Sequence, residues 1–151
     1  MGTRHRQAVI TKEGDIKIQQ YGQWDGYPSG QGKSILNYLR SGNLDKYQKN
    51  LEKIPHITDE QAEEVEKDLN WRENYPYLSR ECGSDIHQMI EDGKVKFVQH
   101  TSLEECNRWC EGFYTIDFQK GLFITEYHGQ EVVLNLSNLP TEEEYEQMFI
   151  D

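Results

Sequence analysis

The stretch that decides the fold is IKIQQYGQWDGYPSGQGKSILNYL, residues 16–39. Ile16-Lys17-Ile18 alternates as a strand does, while Ile35, Leu36 and Leu39 recur on one face of a helix. Between them lies a Gly-rich turn ending in Gly32-Lys33-Ser34. Two architectures compete for this pattern. A phosphate-binding loop ends in Gly-Lys-Ser and belongs to a parallel sheet of repeated βαβ units. A plain strand-to-helix turn belongs to a less regular fold.

Spacing separates them. The phosphate loop needs a glycine five positions before that of Gly-Lys-Ser, so that its N–H groups wrap the phosphates. That position here is Tyr27, and the glycine is one earlier, at Gly26. Pro28 removes one N–H from the cradle, and no later strand ends in an obvious magnesium-binding acid. The stretch therefore reads as a turn. Asp25-Gly26 and Pro28-Ser29-Gly30 supply turn chemistry, and Gly30-Gln31-Gly32 opens the helix.

Outward from this turn, Val9-Ile10 and Ile16–Ile18 flank Glu13-Gly14-Asp15 as an N-terminal hairpin. Helix signals follow: Ser34 to Arg40 with a stop at Gly42, and an apolar stripe of Leu44, Tyr47 and Leu51 up to Pro55. Capping-box patterns stand at Thr58, Ser102 and Thr141, and Ser84 caps another short helix. Ala62, Val65 and Leu69 are expected to point inward from the helix after Thr58. Ile86, Met89 and Ile90 are expected to be buried, as are Tyr145, Met148 and Phe149. Strands are expected over Val95–Val98, Phe113–Phe118, Leu122–Tyr127 and Val132–Leu136. The order is irregular, so the expected class is α+β: one domain over residues 1–151 with a mainly antiparallel sheet, short helices packed on it, and an acidic helical insert at about 43–72.

Bulk composition narrows the function. Apolar residues make up 35% and mean hydropathy is −0.90, so nine Tyr, five Phe and three Trp must carry much of the core. Net charge is −11, which argues against direct nucleic-acid binding and favours a basic partner. No window approaches the roughly 18 apolar residues of a membrane span. MGTRHRQAVI lacks the apolar core of a signal peptide. Three cysteines give no disulfide framework and suit a reducing compartment. A cytoplasmic protein is expected.

Two blocks carry a resemblance. One is Met1-Gly-Thr-Arg4 with the later Tyr21–Gly32 run, YGQWDGYPSGQG; the other is Tyr75–Gly83, YPYLSRECG, with Cys110–Asp117, CEGFYTID. They resemble a family of uncharacterised small proteins, mostly of phages and their bacterial hosts. The resemblance covers part of the chain and implies a phage-type accessory protein acting in the host cell. It supplies no reaction.

Two candidate sites follow. Arg4, Tyr21, Trp24, Asp25 and Tyr27 offer aromatic walls with two polar anchors, the make-up of a small-ligand pocket. Alternatively, Asp25 pairs with Arg4 to hold the turn. The helix after Thr58 presents Asp59, Glu60, Glu63, Glu64, Glu66 and Asp68 against Lys67 alone, an acidic ridge that fits a basic groove. Its plainer reading is a solvated face. Cys106 and Cys110, four apart on a helix, could join Cys82 and His100 or His128 around zinc. They also continue Leu103 as an apolar stripe, and no metal or cofactor is assigned. An N-terminal-nucleophile hydrolase is disfavoured because loss of Met1 exposes Gly2, which has no nucleophile, and Thr3 would serve only after another cleavage. His56, Asp85 and His87 read as structural or surface residues, and no catalytic set is assigned.

The expected function is a non-enzymatic binding protein that inhibits a host anti-phage defence. Its ridge would meet a basic nucleic-acid-binding enzyme such as a nuclease, or its pocket would sequester a nucleotide-like ligand. The alternative is a small hydrolase or nucleotide-processing enzyme using the Arg4/Trp24/Asp25 pocket.

Overall fold

The computed structural model describes residues 2–149. Strand β1 (His5–Ile10) lies inside the sheet, not at its edge. The turn at Glu13-Gly14-Asp15 returns the chain as β2 (Ile16–Gly22), antiparallel to β1. On the other side of β1 runs β3 (Gly112–Asp117), parallel to it, with Val9 opposite Ile116. Hairpins then add β4 (Leu122–Tyr127) and β5 (Gln130–Asn135), giving the order β2-β1-β3-β4-β5. The fold is α+β, with one parallel pairing inside an otherwise antiparallel sheet.

The long connection from β2 to β3 holds six helices: α1 (Lys33–Ser41), α2 (Leu44–Lys53), α3 (Asp59–Lys67), α4 (Trp71–Asn74), α5 (Asp85–Glu91) and α6 (Leu103–Trp109). Helix α7 (Glu142–Gln147) follows the sheet. Alternation along β1 turns His5, Gln7 and Val9 to one face and Arg6 and Ala8 to the other. The first face is covered by helices. Leu36 of α1, Tyr47 and Leu51 of α2, Ile86 and Ile90 of α5 and Tyr145 of α7 are all buried there with Ile18, Ile116 and Phe123. Tyr47 lies against the Phe118 ring at 5.7 Å. Helix α6 packs beside β1 and buries Cys106.

A hydrogen-bonded polar chain crosses this layer. The His87 ring bonds the Tyr47 hydroxyl (2.8 Å) and the Gln7 side-chain carbonyl (2.7 Å), which links α2, α5 and β1. Burial drives His87 down to about 3, so it stays neutral. Tyr145 shares a 2.7 Å hydrogen bond with Thr125 on β4.

Several expectations are corrected. Val95 to Val98 forms no named strand; its one ladder contact is a bridge from Val98 to His56, although Val95, Phe97 and Val98 are buried. Leu69 is 98% exposed because α3 ends at Lys67, where the Asp68 N–H closes on Val65, so Leu69 has left the helical stripe. Ala62, Met148 and Leu103 are also exposed. Ser84 stands at the start of α5 but makes no side-chain cap. Helix α2, within the span read as an insert, buries Tyr47 and Leu51 completely and belongs to the core.

Candidate functional site

The Gly-rich block forms a clasp. Gly26 donates its N–H to Thr3 (2.8 Å), and its carbonyl accepts from the buried Tyr114 hydroxyl (2.6 Å). A β-carbon at position 26 would sit 2.7 Å from the Thr3 carbonyl oxygen and 2.8 Å from the His5 Cβ, so only glycine fits. Gln31 donates to the Asp25 carbonyl (2.8 Å) and Gly30 to Tyr27 (2.9 Å), which starts the turn of π-helix over Pro28–Gly32 that runs into α1. A β-carbon on Gly30 would collide with the Asp25 carbonyl. Asp25 itself holds φ +55°, a left-handed conformation that Asp tolerates better than most residues. The block thus ties the exit of β2 to the N-terminal strand and to α1.

Lys33 does not stand ready for a phosphate. Its ammonium bonds Glu146 at 2.8 Å, with Glu142 at 3.8 Å, so it joins α1 to α7. Those carboxylates hold the Lys33 pKa above its ordinary value, with the Glu146 hydrogen bond the largest cause.

The five residues read as a pocket fall into two groups. Trp24, Asp25 and Tyr27 share the turn; Tyr27 donates to the Asp25 carboxylate at 3.1 Å, and both aromatics are well exposed. Arg4 and Tyr21 lie together toward α6. The Arg4 guanidinium sits 5.7 Å over the Trp109 ring, and Tyr21 donates to Gln23 at 2.6 Å. Of five surface clefts, Tyr21 lines one of about 120 Å³; Arg4, Trp24, Asp25 and Tyr27 line none of the five.

Sequence reasoning missed His5. It is 1% exposed, and neither ring nitrogen has a hydrogen-bond partner among the described residues. Burial lowers its pKa to about 4, against the opposing pull of Asp25. Strand alternation was the available signal, since His5 shares the inward face with Gln7 and Val9.

The acidic ridge stands elsewhere. Thr58 and Gln61 form a complete capping box at the start of α3. The helix buries no residue fully; Asp59, Glu60, Glu63, Glu64 and Glu66 are exposed, and Val65 is half-buried. Asp68 is spent on structure, accepting from the Asn70 N–H and the Asn74 amide at 2.8 Å each. Beneath α3 lies a cleft of about 410 Å³ lined by Ile57, Ala62, Val65, Glu66, Trp71, Leu78 and Gln99. The lining is thus apolar apart from Glu66 and Gln99, and Leu69 is exposed just past the end of α3.

Among the described residues no three His, Cys, Asp or Glu side chains gather as a metal site would require, so Cys82, His100 and His128 do not complete a zinc site with Cys106 and Cys110. No described helix is long and apolar enough to cross a membrane. Comparison with protein-family models, curated proteins and solved structures finds no match to this chain.

Proposed function

We propose that this protein is a binding protein whose partner surface is the acidic α3 ridge with the apolar cleft beneath it. One observation carries the reading: α3 buries none of its residues fully while a cleft with an apolar floor lies open under it. A helix held mainly for its own packing would bury its apolar face. The chemistry of cleft and ridge selects a basic segment with apolar anchors: Ile57, Val65, Trp71 and Leu78 take the anchors, and Asp59, Glu60, Glu63 and Glu64 face the cations. The phage-type resemblance supports a proposed action in the host cytoplasm. There a nucleic-acid-binding defence enzyme is a partner with the required basic surface, and its inhibition is the role proposed.

Paired affinity capture tests this. The wild type and a Glu60→Lys/Glu63→Lys/Glu64→Lys variant are used as baits in the same bacterial lysate. The proposal expects a basic protein retained by the wild type and lost from the folded variant. Equal retention by both baits would remove the ridge from the account.

A further inference from the structure

The side of the sheet toward α6 holds a second chemical group that the partner surface does not use. Cys106 is fully buried in the last turn of α6, and Cys110 caps that helix, half-buried, with its N–H bonded to the Cys106 carbonyl at 2.8 Å. Cysteines four apart on a helix share a face, with Cβ atoms roughly 5–6 Å apart. A disulfide needs Cβ atoms roughly 3.5–4.5 Å apart, so an intact α6 does not close one. A metal ion between two thiolates needs a longer span: bonds of roughly 2.3 Å, as zinc makes to sulfur, set the sulfurs roughly 4.5 Å apart.

The ligand count then selects the ion. Structural zinc takes four ligands, and no third His, Cys, Asp or Glu joins the pair among the described residues. Copper(I) is soft, prefers thiolates and is satisfied by two in a line. We propose that Cys106 and Cys110 form a two-thiolate site for copper(I).

The surroundings fit that charge. A bis-thiolate copper(I) centre carries one net negative charge, and binding releases the thiol protons to solvent. The Arg6 guanidinium, held by a 2.8 Å hydrogen bond to Thr115 and lying 5.5 Å from the Phe113 ring centre, attracts negative charge at both sulfurs. Its Nε is buried without a partner among the described residues. A thiolate at Cys106 is favoured by the Cys110 hydrogen bond and by Arg6 against burial and Glu105, whereas that same hydrogen bond and burial hold the Cys110 thiol above its ordinary pKa, so the ion must displace its proton. The half-buried Cys110 gives the ion its way in.

The test is a titration of the reduced chain, without oxygen, with copper(I) against bicinchoninate. One copper per chain should bind. Cys106→Ser and Cys110→Ser should each abolish it while far-UV circular dichroism stays unchanged, and Cys82→Ser should keep it. Arg6→Gln should weaken the affinity about tenfold, the scale of losing one nearby charge in a largely screened site. Arg108→Gln, on the solvent side of α6, should not. Binding that survives in the Cys106→Ser/Cys110→Ser double variant, or that disappears in Cys82→Ser, would overturn the assignment. So would ready air oxidation to a Cys106–Cys110 disulfide with α6 intact, because the spacing argument would then be wrong.

Discussion

Gly26→Ala isolates the clasp. The added methyl would meet the Thr3 carbonyl oxygen at 2.7 Å, the His5 Cβ at 2.8 Å and the Arg4 carbonyl oxygen at 2.9 Å. Two of these are backbone atoms of the β1 entry, so no side-chain rotation relieves them. The turn must move outward by several tenths of an ångström. That movement stretches the Gly26 N–H bond to Thr3 and the Tyr114 hydroxyl bond to the Gly26 carbonyl. A buried polar group left without its partner costs about 1–3 kcal/mol. The loss expected for this pair is about 2–4 kcal/mol. For a chain of this size that lowers Tm by about 4–16 °C, at about 2–4 °C per kcal/mol. Gly121→Ala is the control: Gly121 has φ +71° but no neighbour within 4 Å of a β-carbon, so only backbone strain of about 1–2 kcal/mol applies. Thermal and urea unfolding of both variants by circular dichroism makes the comparison. A Gly26→Ala protein as stable as the wild type, or less affected than Gly121→Ala, would refute the close-packed clasp.

Other expectations are direct. The folded state holds His5 at about 4 and His87 at about 3 against an ordinary 6.5, so below pH 6.5 the unfolded chain binds more protons and stability falls toward pH 4. At pH 5 each buried histidine withdraws about 2 kcal/mol relative to pH 7; urea unfolding that is equal at the two pH values would contradict neutral burial. Lys33→Ala, which removes a part-exposed ion pair with Glu146, should leave thermal stability close to wild type and reveal no lost ATP affinity by calorimetry. Magnesium-dependent ATP binding that vanished only in this variant would restore the phosphate-loop reading. Leu69→Asp should leave Tm within about 1–2 °C of wild type, since an exposed side chain carries less than about 0.5 kcal/mol, and yet weaken partner capture. Unaltered capture would remove Leu69 from the proposed surface.

What the sequence made legible follows the reach of each signal. Local chemistry was readable: Thr58 and Thr141 both form complete capping boxes, and Ser102 accepts from the Glu105 N–H. The hairpin at Glu13-Gly14-Asp15 and the turn into α1 were readable for the same reason. The parallel β1–β3 pairing joins residues more than a hundred positions apart, and nothing local encodes which strand lies beside which. At Val95–Val98 the apolar pattern reported burial correctly but not a ladder. Val98 N–H bonds the Pro55 carbonyl and its own carbonyl accepts from Ile57, so the pairing amounts to a single bridge at His56. Leu69 shows the converse error. Helical spacing was extended past the true end of α3, where Asp68 bonds Asn70 and Asn74 in a turn.

The candidate site divided similarly. The aromatic and charged residues of the N-terminal block were singled out by type, but their grouping depends on which strand face each one takes. Alternation sends Tyr21 to the face of Arg6, while the clasp turns Asp25 toward Tyr27. The acidic ridge was plain from composition. The cleft beneath it was not, since it joins Ile57, Trp71, Leu78 and Gln99 from separate segments.

Amide hydrogen exchange of the chain alone and with its captured basic partner tests the central claim most directly. The account predicts new protection over residues 57–78, falling away as salt screens the contact, with residues 21–27 unchanged. Protection confined to residues 21–27, with α3 exchanging as in the free chain, would contradict it and place function in the N-terminal block.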